Sequence, residues 1–100
     1  MNDLTRSDIV KLIASYSNNN ARGFDVTGAI IENEDLSSLR LVGFNFNNAK
    51  LKNSNFIGCK FSSAFVPANF RGADIEGAQF NTEAREYLEG AINIEKAIFV

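Results

Sequence analysis

From Val26 to Phe80 the chain repeats with a period that belongs to neither a helix nor a flat strand. Val26, Ile31, Leu36, Leu41, Phe46, Leu51, Phe56, Phe61 and Val66 stand five residues apart, one four-residue step leads to Phe70, and Ile75 and Phe80 follow at five again. A helix turning about 100° per residue would scatter these side chains around its circumference. A strand would throw alternate members onto opposite faces. Each five-residue unit is therefore read as a short extended segment followed by a corner that aims the next apolar centre at a common axis, which is the pattern of an all-β solenoid.

The polar positions mark the corners. Gly28, Asn33, Ser38, Gly43, Asn48, Asn53, Gly58, Ser63, Gly72, Gly77 and Thr82 lie two residues after a centre. Gly and Asn tolerate positive φ, and Ser and Thr form local turn hydrogen bonds, so this position predicts a bend. Two residues before the centres, Ala29, Ala49, Ser54, Cys59, Ala64, Ala68, Ala73 and Ala78 are small, as an inward position crowded against the axis requires.

The units Ala49-Lys50-Leu51-Lys52-Asn53, Ala68-Asn69-Phe70-Arg71-Gly72 and Ala73-Asp74-Ile75-Glu76-Gly77 resemble the signature of the pentapeptide-repeat family: Ala, Asp or Asn, Leu or Phe, then two variable residues. The resemblance covers residues 24–82. It implies a right-handed quadrilateral parallel β-helix with four pentapeptides to a coil, here about three coils at 24–43, 44–63 and 64–82. The expected wall stacks are Val26/Phe46/Val66, Ile31/Leu51/Phe70, Leu36/Phe56/Ile75 and Leu41/Phe61/Phe80. Phe24, Glu34, Leu39 and Phe44 depart from the small inward residue, and three of the four fall in the first coil. The missing residue at Pro67 is expected to shorten one corner, where proline's fixed φ suits a tight turn.

The flanks break the period. Residues 4–16 predict a helix, capped by Thr5 with Asp8 three residues on, and carrying Ile9, Leu12, Ile13 and Tyr16 on one face. Capping the exposed solenoid end is preferred for it over binding a partner. Ser17–Gly23 is polar and reads as a surface connection. Residues 82–90 predict a short C-terminal helix, capped by Asn81 or Thr82 and stopped by Gly90. In the tail, 91–100, Ile94 and Phe99 resume the five-residue spacing around Ala97, so a strand is expected that either adds to the last coil or pairs with another subunit. The whole chain, 1–100, is read as one pentapeptide-repeat domain.

Composition removes most chemistry. The chain has no histidine, one cysteine and a net charge of −2. A serine or cysteine nucleophile would lack its usual base, and zinc its commonest nitrogen ligand. No phosphate-binding glycine motif, apolar run near 18 residues or signal-peptide pattern occurs, so the cytoplasm is the default compartment. Carboxylates cluster at Glu32, Glu34 and Asp35 and at Asp74 and Glu76, and are read as solvated walls rather than as a metal or acid/base site. Cys59, at an inward position, is expected to be an unreactive thiol. No catalytic residue, cofactor or metal is expected.

Charge is segregated along the sequence. Residues 1–35 hold six acids and three bases and residues 74–100 six acids and two bases, whereas 36–73 has Arg40, Lys50, Lys52, Lys60 and Arg71 and no acid. A solenoid turns sequence order into height, which gives acidic ends and a basic waist, with Lys50, Lys52 and Arg71 on one wall above Glu32. Asn45, Asn47 and Asn48 are read as solvated wall residues, and Ile30, Ile57 and Phe65 as apolar outward ones. Candidate interaction residues are Phe65 beside Pro67, then Lys50, Lys52 and Arg71, and Ile98 and Phe99 in the tail.

The function expected is a non-catalytic structural or protein-interaction module with an unidentified protein partner, and with neither nucleic acid nor membrane as a partner. The resemblance leans toward a homodimer through the C-terminal end. It also supplies the alternative, a mimic of duplex DNA that binds a type II topoisomerase, as quinolone-resistance members of the family do. A body about 15 Å tall with a basic middle argues against that mimicry, since duplex DNA presents one negative charge per about 1.7 Å.

Overall fold

A computed structural model describes residues 1–15, 23–63 and 67–100. Across them the chain passes over itself in layers joined by isolated parallel bridges. Asp25, Ile30, Asp35 and Arg40 bridge to Asn45, Lys50, Asn55 and Lys60, each 20 residues on. Asn45, Lys50 and Asn55 bridge onward to Asn69, Asp74 and Gln79, each 24 residues on. Four columns of rungs result, numbered here from one to four in that order. Each rung is one residue that exchanges two hydrogen bonds with the layer before it: the Asp74 N–H donates to the Ala49 carbonyl at 2.9 Å, and the Leu51 N–H to the Asp74 carbonyl at 2.9 Å. Among the described residues only β1 (Gln79–Phe80) and β2 (Ile98–Phe99) are long enough to pair as strands, in parallel.

Local chemistry explains why extended segments stay so short. After each centre the chain turns over four residues, with the small residue's N–H donating back to the centre's carbonyl, as from Ala49 to Phe46 at 3.0 Å and from Ala73 to Phe70 at 2.9 Å. The third turn residue takes positive φ, between 59° and 78° at Gly28, Asn33, Ser38, Gly43, Asn48, Asn53, Gly58, Gly72 and Gly77. This is the type II pattern that favours Gly and Asn there. Before six of the centres the preceding residue adds a second constraint: Oδ1 of Asp25, Asp35, Asn45, Asn55, Asn69 and Asp74 accepts the N–H two residues on. That Asx bond gives the Asp or Asn of the repeat a structural role. Asn45 and Asn48 are accordingly turn-forming residues and not simple solvated ones.

Every described centre is buried, Val26 and Phe61 least completely at 8% and 5% exposed. Val66, Phe65 and Ala64 lie outside the described residues, as do Tyr16 and most of the polar connection. The columns themselves differ from those expected beyond Phe61. They run Val26/Phe46/Phe70, Ile31/Leu51/Ile75, Leu36/Phe56/Phe80 and Leu41/Phe61, so that Phe70 holds the place above Phe46 expected of Val66. The corner after Phe61 is not shortened by one residue but lengthened by four. Its closing bond shows this directly: the N–H that returns to the Phe61 carbonyl belongs to Ala68, seven residues on, where other corners use the third. A loss of one residue and a gain of four leave the same phase in a five-residue period, so the hydrophobic spacing could not separate them.

The inward departures have physical causes. Ser54, fully buried, accepts the Glu34 N–H at 3.1 Å and donates to the Ile31 carbonyl at 2.7 Å, so its hydroxyl stands between the two ends of a turn in the layer before. The Cys59 thiol donates likewise to the Leu36 carbonyl at 2.9 Å. Phe44 is buried and stacks on Phe46 with centroids 5.7 Å apart, while Phe24 meets it edge-on at 5.5 Å.

The ends are closed by the flanking segments. α1 (Arg6–Ser15) starts at a capping box in which Asp8 accepts the Thr5 N–H at 2.9 Å, and it buries Ile9 completely. Glu34, the charged departure, docks it: its carboxylate accepts the Arg6 N–H at 2.9 Å and the Asn2 amide at 3.2 Å. At the other end the expected helix over 82–90 is a 3-10 helix from Thr82 to Tyr87, and Asn81 makes no side-chain cap. Leu88, within the span expected to be helical, instead behaves as a centre, 1% exposed and followed by a turn in which the Ala91 N–H donates to its carbonyl at 3.0 Å. The tail is not one strand. Ile92 bridges Asp74, a second 3-10 turn spans Ile94–Lys96, and β2 then pairs with β1 inside the same chain. No helix among the described residues is long and apolar enough to cross a membrane.

Three outcomes follow. Phe56 is fully buried and lies parallel to Phe80 at 4.9 Å, so Phe56→Ala should cost about 3–5 kcal/mol in urea unfolding. Ser54→Ala installs the residue most common at that position, yet should destabilise by about 1–3 kcal/mol, because it removes the partners of the part-buried Glu34 N–H and the buried Ile31 carbonyl. Deleting residues 64–67 joins Ser63 to Ala68 and restores an unbroken five-residue register. That variant should fold and melt at or above the parent temperature by circular dichroism, and its failure to fold would refute the four-residue insertion.

Candidate functional site

The outward side chains of a rung lie directly over those of the next layer, so each column presents a vertical file of groups. On the second column the file is Glu32, then Lys50 and Lys52, then Asp74 and Glu76, with Lys96 in the tail above, where its carbonyl accepts the Gly77 N–H. Signs alternate from layer to layer. Lys52 Nζ lies 4.0 Å from Asp74 Oδ2 and 3.9 Å from Glu76 Oε1. Burial works against the Asp74 charge, but the Asn93 amide, the Glu76 N–H and the Lys52 and Lys96 cations together hold its carboxyl below the usual range.

Arg71 does not share that wall. The lengthened corner moves it to the first column, where it lies over the bend at Gly90: a Cβ there would stand 3.2 Å from Arg71 Cγ. The wall of three cations expected from sequence is therefore replaced by a second column of alternating sign. On the fourth column Arg40 and Lys60, bridge partners, place two exposed cations one above the other. The first acidic cluster is also engaged, Glu34 by α1 and Asp35 by the Arg6 guanidinium at 3.7 Å.

Of the tail candidates, Ile98 is 48% exposed, but Phe99 is not a free face. Its ring stacks on Phe80 at 6.1 Å and carries the Arg85 guanidinium 3.8 Å from its centroid. Phe65 lies outside the described residues.

One feature escaped the sequence reading. The 3-10 helix stands where the fourth column of the third layer would be, and between it and the second layer lies a groove of about 260 Å³. Lys60, Phe61 and Ser62 form one side, and Glu83, Glu86 and Tyr87 the other. The chain leaves the ladder at Asn81, whose side-chain Oδ1, in place of a backbone carbonyl, accepts the Gly58 N–H at 2.7 Å. Nothing in the spacing signalled this, because Thr82 fits the bend position of the repeat as well as it fits a helix start.

Residues 35–66 match the family model described as pentapeptide repeats (8 copies), so that stretch is similar to pentapeptide-repeat proteins. Pentapeptide repeats imply a β-helix fold and a repeat module. The matched stretch ends within the lengthened corner, although the rungs continue through Gln79. No curated protein and no solved structure matches the chain.

Cys59 borders the groove with its thiol partly buried. Burial pushes its thiol up to about 11 from an ordinary 9.0. A group raised in this way contributes stability that is complete below pH 9 and is lost as pH rises through about 11. At pH 8 a thiol reagent should label the native protein far more slowly than the urea-unfolded chain. Equal rates would show that the thiol is not held in its buried, protonated form.

Proposed function

We propose that the chain is a non-catalytic scaffold: a right-handed quadrilateral parallel β-helix whose flat walls present ordered side chains to a protein partner in the cytoplasm. Four columns of parallel rungs support a four-sided cross-section, and the family supports the handedness. The observation that carries the functional reading is the second column. Its charges alternate in sign and neutralise one another across layers, which suits recognition of a patterned protein surface and lacks the sustained single-sign file that mimicry of duplex DNA requires. The clustered carboxylates serve turns and ion pairs in this reading, leaving no acid/base pair for catalysis. Homodimerisation is assigned to the C-terminal end, where Ile98 in β2 and Val100 beyond it are exposed.

Two measurements test this. Purified protein should neither inhibit DNA gyrase nor protect it from a quinolone in a supercoiling assay at low micromolar concentration; activity there would replace the scaffold reading with DNA mimicry. Light scattering of the parent and of a chain truncated after Gly90 addresses the dimer. A dimeric parent and a monomeric truncation are expected, and a parent that is already monomeric removes homodimerisation from the proposal.

A further inference from the structure

In the second layer, three of the four columns carry a rung above them. Asn69 bonds the Phe44 carbonyl and the Phe46 N–H, Asp74 the Ala49 carbonyl and the Leu51 N–H, and Gln79 the Ser54 carbonyl and the Phe56 N–H. The equivalent groups on the fourth column are the Cys59 carbonyl and the Phe61 N–H. Among the described residues neither has a hydrogen-bond partner, and both belong to residues that line the 260 Å³ groove. Unpaired backbone groups at a sheet edge are a template for a further extended segment.

We propose that this groove binds an extended peptide, one residue of which supplies the missing rung by donating its N–H to the Cys59 carbonyl and accepting the Phe61 N–H. The 3-10 helix determines the side chains such a peptide carries. Glu83 and Glu86, both exposed, face Lys60 across the groove, so its lining is net acidic and favours a basic residue beside the rung. The volume lies below the roughly 300–1,000 Å³ usual for small-molecule sites. A single rung with one or two flanking side chains is therefore the occupant that fits. The inference does not depend on the scaffold reading, because it concerns one edge and not the walls.

The test uses the full chain, isotopically labelled, and a capped pentapeptide of sequence Ala-Lys-Ala-Lys-Asn. Binding should shift the Phe61 amide resonance and slow its hydrogen exchange, with a dissociation constant of about 1 mM or tighter. The acidic control Ala-Glu-Ala-Glu-Asn should leave that amide unchanged. The double variant Glu83→Gln, Glu86→Gln, in exposed positions that do not support the core, should weaken binding about two- to fivefold, the range for exposed charge pairs. No response of the Phe61 amide at 10-fold peptide excess over that dissociation constant overturns the site. Equal responses to the basic and acidic peptides overturn its charge preference.

Discussion

Neighbouring layers are held at the interstrand spacing of a parallel ladder, about 4.8 Å, and nearly everything else in the molecule answers to that distance. It places each residue directly over its counterpart, so compatibility must be met vertically. Aromatic centres satisfy it without adjustment: the Phe46 and Phe70 rings lie 4.8 Å apart at 12°, and Phe56 and Phe80 4.9 Å apart at 2°. Bends satisfy it partly by the choice of residue. A Cβ on Gly72 would stand 2.2 Å from Asn48 Oδ1 and one on Gly77 2.1 Å from Asn53 Oδ1, so at these two positions glycine leaves room for the asparagine side chain of the layer below, whereas Asn33 and Asn53 stack as like residues. Charges satisfy it on the second column by alternating in sign, since like charges stacked at this distance repel.

A stack of layers must end, and the two ends are closed differently. The first layer exposes carbonyls and N–H groups along its lower edge, and N-terminal residues cover part of it, mostly through their side chains. Asp3 bonds both backbone groups of Ile30, Asn2 both of Glu32, and the Arg6 guanidinium the carbonyls of Asp35 and Ser37. The upper end is covered by backbone, with Ile92 and β2 continuing the second and third columns. Below, the N-terminal residues cover the second and third columns, whereas backbone closure above passes an edge upward to β2. Exposed Ile92, Ile98 and Val100 lie at this upper end, as Met1 and Val10 do at the lower.

The repeat centres, bends and small inward positions were legible in the sequence because each is fixed by local geometry that recurs every five residues. So was α1, whose capping box and apolar face are local as well. What could not be read depends on vertical neighbours. The period carries phase and not count, so a gain of four residues after Phe61 passed for a loss of one, and Arg71 was assigned to the wrong column. Ser54 looked like a tolerated small residue, yet its hydroxyl completes a turn one layer below. Glu34 looked like a loosened position, and its reason lies 28 residues earlier at the Arg6 N–H.

The lengthened corner and the exit from the ladder both adjoin the fourth column. The fourth column stacks Arg40 and Lys60, two cations one rung apart, with no acid in the rung residue of either layer. In water such a pair at about 4 Å costs on the order of 1 kcal/mol, enough to disfavour a further cationic rung but too little to break the fold. There the chain inserts four residues and, a layer later, leaves the ladder for a 3-10 helix. Where stacking dictates each residue, little surface is free to specialise; where stacking lapses, side chains and backbone groups are released from it. The groove beside Lys60 lies at that lapse, so the same geometry that builds the repeat determines where a binding surface can depart from it.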